Sequence, residues 1–234
     1  MYISWKPLAV FWRIIIALSG TVALLFNFIL NAKAPIIQLE YFYNLITIFT
    51  VVYYYVLSFW QINNTNKEKT CLVPWLKGAI TVSSAGILLI SFFFINNLTI
   101  PQWDTYFVAN TMHYVIPIMV IADWLLFDKK GAFKLFFPIV WTIPSILYTT
   151  YVYVSVLVLN RSVGSENTFC YPISNCGNYP YPFFNIDANG IINTIAKLLL
   201  LAVILIIVGY IMYGIDIIPN KVGGFISSKK KKEE

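Results

Sequence analysis

Apolar residues run in six stretches along the chain, at 8–30, 41–61, 79–95, 105–127, 135–159 and 191–215. Short segments in which Lys, Asp, Asn and Pro concentrate separate them. A helix that crosses a bilayer needs roughly 20 apolar residues, and each stretch is near that length. The alternating ten-residue pattern of outer-membrane barrel strands is absent, which leaves helices as the spanning element. The expected fold is therefore all-α: one domain, 1–234, of six transmembrane helices with a basic tail at 219–234. The first stretch is too long for a signal-peptide core and no clean small-x-small cleavage site follows it, so it is expected to stay as a helix.

Composition agrees with the pattern. Hydrophobic residues make up 59% of the 234 and charged residues 11%, which excludes an ordinary soluble domain. The net charge of +6 calls for no nucleic-acid partner, because its location explains it. Lys6, Lys67, Lys69, Lys129, Lys130, Lys134, Lys221 and the lysines at 229–232 fall on one set of connections and the tail. The other set carries Lys33 with Glu40, Asp104, and Arg161 with Glu166 and Asp187. The positive-inside rule then predicts both termini in the cytoplasm, in a plasma or cytoplasmic membrane. An even number of helices demands the same result. The long segment 160–190 faces outward on this topology, where Cys170 and Cys176 form a candidate disulfide. Two thiols and one distant histidine do not make a zinc site, and no metal or cofactor is expected.

Polar residues inside the apolar stretches are the candidates for chemistry, since each is costly in a bilayer. The only histidine, His113, lies about eight residues into the fourth stretch, roughly 12 Å deep at 1.5 Å per residue. Thr47 lies about six residues into the second, roughly 9 Å deep by the same rise. A hydroxyl and an imidazole at matching depth suggest a nucleophile and its base. Asn44 and Thr50 flank Thr47 at three residues on the same helix face, so Thr50 is a rival for the role. Asn110 precedes His113 by three residues and could orient it. Pro117 removes the backbone N–H that would bond the His113 carbonyl, which loosens the helix there. Arg13 and Asp123 fall at similar depth near the inner side and suit a structural ion pair. Lys197 sits awkwardly in the sixth stretch, with a route outward to the interface or inward to the Thr47 level. After the long outer segment, Tyr179, Tyr181 and Phe183, interleaved with Pro180 and Pro182, suit an interfacial aromatic belt or a cap over a cavity.

Several of these segments resemble the Pr6Pr family of integral membrane proteins, relatives of the androgen-induced and androgen-dependent membrane hydrolases. The block HYVIPIMVIADWLLFDKKG beginning at His113 resembles the family's fourth-helix block, and YPYPFF beginning at Tyr179 resembles its Tyr-Pro-Tyr-Pro-Phe signature. Pro144 to Tyr148 resembles the family's Pro–Tyr step in the fifth helix, and Arg13 resembles the arginine early in its first. The resemblance implies six helices and a threonine–histidine hydrolase acting on fatty-acid esters of hydroxy fatty acids. Carried onto this chain, the histidine is His113 and the threonine is Thr47, in Ile46-Thr47-Ile48-Phe49-Thr50. The family usually continues with asparagine where this chain has Val51. The function expected is an intramembrane lipid-ester hydrolase whose partner is membrane lipid. A small transporter or channel lined by Arg13, Asp123, His113 and Lys197, or a non-enzymatic lipid-binding scaffold, are the alternatives.

Overall fold

The computed structural model describes residues 3, 5–30, 38–64, 70–92, 103–163 and 177–233, without side chains for 103–106 and 219–233. Cys170, Cys176, Lys33, Lys67, Lys69 and Glu166 lie outside the described residues. Every regular element among those described is helical. The order is α1 (Lys6–Leu30), α2 (Phe42–Asn63), α3 (Pro74–Ile90), then α4 (Trp103–Asn110). A π-helical turn (Thr111–Val115) joins α4 to α5 (Ile116–Phe127). After α6 (Phe137–Val140) and α7 (Ile143–Tyr153) come a second π-helical turn (Val154–Val158) and a 3-10 turn (Pro182–Phe184). A short α8 (Ile186–Asn189) precedes α9 (Ile191–Glu233).

Five helical runs are long and apolar enough to cross a bilayer: Lys6–Leu30, Phe42–Asn63, Phe107–Phe127, Phe137–Val158 and Ile191–Ile218. The third expected span is α3, a shorter apolar helix of 17 residues. Large apolar side chains such as Phe11, Phe26, Phe49, Phe59 and Leu199 stand exposed on the outer faces. Water would penalise such a surface, whereas lipid tails cover it. This is the architecture of a multi-pass membrane protein.

Helix α1 explains its own packing. Its buried residues, Ala9, Arg13, Ile16, Ala17, Gly20, Ala23 and Asn27, recur every three or four positions, so they form one stripe. Most are small, which lets backbones approach where hydrophobic exclusion gives no drive between helices. A Cβ placed on Gly20 would meet Val51 Cγ2 at 2.4 Å and the Thr47 methyl at 3.7 Å. Thr47 and Val51 therefore face α1.

Helix α3 occupies the middle of the bundle: residues from Lys77 to Ile87 are buried without a break. It starts at Pro74, five residues before the expected boundary at 79, because proline at the first helical position carries no N–H to leave unsatisfied. An apolar-run criterion stops short of Lys77 and so misplaces this end. Prolines also shape the expected fifth stretch. Pro144 cannot donate to the carbonyl four residues back, and the chain breaks between α6 and α7 at Trp141 and Thr142. Trp141, wholly buried, donates its Nε1–H to the Trp75 carbonyl at 2.8 Å and lies over Gly78. At the far end, α9 continues as helix through the basic tail to Glu233 rather than ending near 215.

The α5–α6 connection is held from α9. Asp216 Oδ2 accepts the N–H groups of Gly131 and Phe133, both at 2.9 Å. Lys130 is buried beneath it, with its ammonium 3.9 Å over the Trp124 ring and donating to the Trp124 carbonyl at 2.5 Å. Burial holds the Lys130 ammonium down at about 8, with Asp128 and Asp216 pulling the other way.

A Cβ on Gly78 would fall 2.1 Å from the Trp141 ring. Gly78→Ala is therefore expected to destabilise by about 1–3 kcal/mol, the usual cost of overpacking. Thermal unfolding in detergent checks this against Gly214→Ala, whose added Cβ meets nothing within 4 Å and whose transition should not fall. Equal transitions in the two variants would contradict the packing described.

Candidate functional site

Among the described residues, a charge cluster and His113 are the polar centres that bear on function. The charge cluster lies between α1, α3 and α5. Arg13 Nε lies 3.0 Å from Asp123 Oδ1, and Arg13 Nη2 lies 2.6 Å from Asp128 Oδ1. Its Nη1 donates to Gln61 Oε1 at 2.5 Å and to the Thr70 carbonyl at 2.9 Å. Lys77 pairs with Asp123 Oδ2 and reaches Asp128 Oδ2 at 3.4 Å. The Tyr54 hydroxyl donates to Asp123 Oδ2 at 3.2 Å, and its ring lies 4.6 Å from the Lys77 ammonium. Arg13, Lys77 and Asp123 have no solvent exposure at all, and Asp128 has 4%. Two cations and two carboxylates cancel.

The Arg13–Asp123 contact is thus half of a larger arrangement. Lys77 went unnoticed in the sequence because it precedes the expected start of the third helix. Asp128 stands beside Lys129 and Lys130 in a connection between apolar stretches, where nothing in the spacing points it inward. Proline at position 74 was the available signal, since it moves Lys77 one turn inside the helix. Cys71, the one cysteine among the described residues, lies beside this cluster with its sulfur 3.3 Å from the Tyr53 hydroxyl. Burial pushes its thiol up to about 11, so it stays protonated at neutral pH and is a poor nucleophile.

The second centre is His113. The π-helical turn carries it, four residues before Pro117, where the Ile116 N–H bonds back to the Thr111 carbonyl. Pro117 leaves the His113 carbonyl without its ordinary helical donor, and the wider turn accommodates that loss. His113 is 4% exposed. Its Nδ1 lies 2.8 Å from the Ala109 carbonyl, which can only accept, so the neutral ring carries its proton on Nδ1 and presents Nε2 as the basic nitrogen. The Tyr43 ring lies 4.5 Å from the imidazole, centroid to centroid.

The other expected site residues lie on α2, α4 and α9. Thr47 donates to the Tyr43 carbonyl at 2.7 Å, and Thr50 donates to the Ile46 carbonyl at 2.7 Å. Both are bonds to the preceding turn of their own helix. Asn44 donates to the Gln38 carbonyl at 2.6 Å and accepts from Asn27 at 3.0 Å, bracing α1 against α2. Asn110 is half-buried at the residue before the π-helical turn. Lys197 is exposed and bonds Asn189 Oδ1, so it reaches back past the start of α9 to α8.

A half-open cavity lies against His113, with about 590 Å³ of empty space when the part open to the surroundings is included. Ile87, Ile90, Leu201, Leu205, Phe42 and Phe184 give it apolar walls. Its polar lining comes from Tyr43, Ser83, Ser91, His113, Ser145 and Thr149, and neither Thr47 nor Thr50 is among the lining residues. Tyr181 and Phe183 line it from the segment between α7 and α8 and stack on each other, centroids 5.3 Å apart and planes 8° from parallel. Tyr179 packs instead on Tyr153, at 6.0 Å, in the cluster behind them. Glu40, which pairs with Arg161, gives its carbonyl to the Tyr148 hydroxyl at 2.9 Å and ties this end of the bundle together. No group of three or more metal-ligating side chains occurs among the described residues.

No protein-family model, curated protein or solved structure matches the chain.

Removing one partner from a buried charge cluster leaves an unpaired charge and costs about 3–5 kcal/mol. Arg13→Ala and Lys77→Met are each expected to lose that much in equilibrium unfolding from mixed micelles. Adding Asp128→Asn to Lys77→Met restores neutrality and should recover part of the loss. Single variants as stable as the parent would show that the cluster does not hold these helices.

Proposed function

We propose that the protein binds an acyl lipid in the His113 cavity and hydrolyses its ester bond, with His113 as general base. The observation that carries this reading is that His113, whose Nδ1 is held by the Ala109 carbonyl, lines a largely apolar cavity with a few polar side chains in its wall. Such a lining suits a hydrocarbon chain with one polar group. In the reaction, His113 Nε2 takes the Thr47 proton as Oγ1 attacks the acyl carbonyl carbon. The proton then passes to the leaving alcohol. Water, deprotonated by His113, releases the fatty acid and restores Thr47. The Thr47 hydroxyl must first turn away from the Tyr43 carbonyl, to which it donates at 2.7 Å. The resemblance of the His113 and Tyr179 blocks to the Pr6Pr family supports both the chemistry and a fatty-acid ester substrate.

The same reading sets six spans, with α3 as the short one, and both termini in the cytoplasm of a plasma or cytoplasmic membrane. The lysine-rich connections support that orientation. A transporter reading is weaker, because Arg13, Lys77, Asp123 and Asp128 are engaged with one another rather than lining the cavity.

One observation favours a second reading, lipid binding without hydrolysis: Thr47 is absent from the cavity lining. Release of fatty acid from a fluorogenic acyl ester by purified protein separates the two. Hydrolysis should fall at least about a hundredfold in His113→Ala and in Thr47→Val, the scale of a lost general base or nucleophile. Turnover unchanged in Thr47→Val removes that residue as nucleophile. No turnover in the parent protein leaves the binding reading.

A further inference from the structure

We propose that Ser91 donates a hydrogen bond to the carbonyl oxygen of the acyl lipid in the His113 cavity. The inference rests on reading the cavity as an acyl-lipid site, but not on hydrolysis. Ser91 directly follows α3 and has no solvent exposure. Its Oγ is buried with no hydrogen-bond partner among the described residues. A hydroxyl in that state is costly unless something arrives to satisfy it. Ser91 lines the same cavity as His113, and its carbonyl accepts from the Tyr114 hydroxyl at 3.2 Å. That bond ties Ser91 to the turn that carries the imidazole.

The division of roles follows from which groups can donate. An ester carbonyl only accepts. The Nδ1–H of His113 is directed at the Ala109 carbonyl, and the Thr149 hydroxyl is given to the Ser145 carbonyl at 2.8 Å. Among the serine and threonine hydroxyls that line the cavity, that of Ser91 is the one buried without a partner among the described residues, so its proton is on offer. In a hydrolytic cycle the same O–H would follow the carbonyl oxygen as it becomes the oxyanion, without changing partners. Ser91 is thus a substrate-binding residue in either reading. The walls that would lie along the chain are Ile87 and Ile90, one turn or less before it, and Leu201 and Leu205 across the cavity.

The test compares two competitors that differ in the carbonyl. In nanodiscs, methyl oleate and the hydrocarbon cis-9-octadecene each displace a diazirine-bearing fatty acid from the protein. The parent should prefer the ester by about tenfold, the worth of one net hydrogen bond. The preference should fall to near unity in Ser91→Ala and persist in Ser91→Thr, which keeps the hydroxyl. A preference that survives in Ser91→Ala, or none in the parent, overturns the proposal. Should Ser91→Ala no longer bind the hydrocarbon, Ser91→Cys, similar in size but a weak donor, decides by the same ratio. Intact preference with no fatty-acid release from an ester removes hydrolysis and leaves Ser91 in place.

Discussion

The bundle depends on a neutral four-charge cluster buried between its helices. Arg13, Lys77, Asp123 and Asp128 come from α1, α3, and α5 with its end, and none could be buried alone in a bilayer. The guanidinium is the hub, since its planar fork meets both carboxylates together with Gln61 and the Thr70 carbonyl. Packing of small residues along α1 and α3 tolerates several registers, because lipid is as apolar as the helices. Charges that must meet within about 3 Å tolerate far fewer. The cluster therefore sets the register in which the helices pack, and the cavity is what that register leaves open further along.

Around the cavity, local rules were relaxed where chemistry is concentrated. Pro117 denies the His113 carbonyl its helical partner, and the helix widens to a π-helical turn at the residues that carry the imidazole. A second proline-directed interruption, at Trp141 and Thr142, lets Trp141 fold over Gly78. Ser91 keeps a hydroxyl in the dry interior without a partner among the described residues.

Much of the fold was legible in the chain because bilayer length imposes a coarse ruler on apolar runs. What the ruler cannot read is a helix that begins polar, as α3 does at Pro74 with Lys77 one turn in. Nor can it tell that Asp128 turns inward, since a charge at the end of an apolar run looks solvated until its partners are known. His113 stood out as the lone histidine. The depth argument set Thr47 against it, but the ring beside the imidazole is Tyr43, one turn away on the same helix. Thr47 instead donates to its own backbone, a local choice open to any membrane threonine and invisible in spacing. Ser91 carried no signal in the sequence, because its importance lies in a tertiary setting that leaves it unpartnered.

The central claim is that an acyl chain lies in the cavity beside His113. Photolabelling in nanodiscs with a diazirine-bearing fatty acid, mapped by peptide mass spectrometry, addresses it directly. The account predicts label on cavity residues such as Ile87, Ile90, Phe183 and Leu201, removed by excess unlabelled ester. Label confined to outward-facing residues such as Phe49, Phe59 and Leu199, and indifferent to competitor, would contradict it.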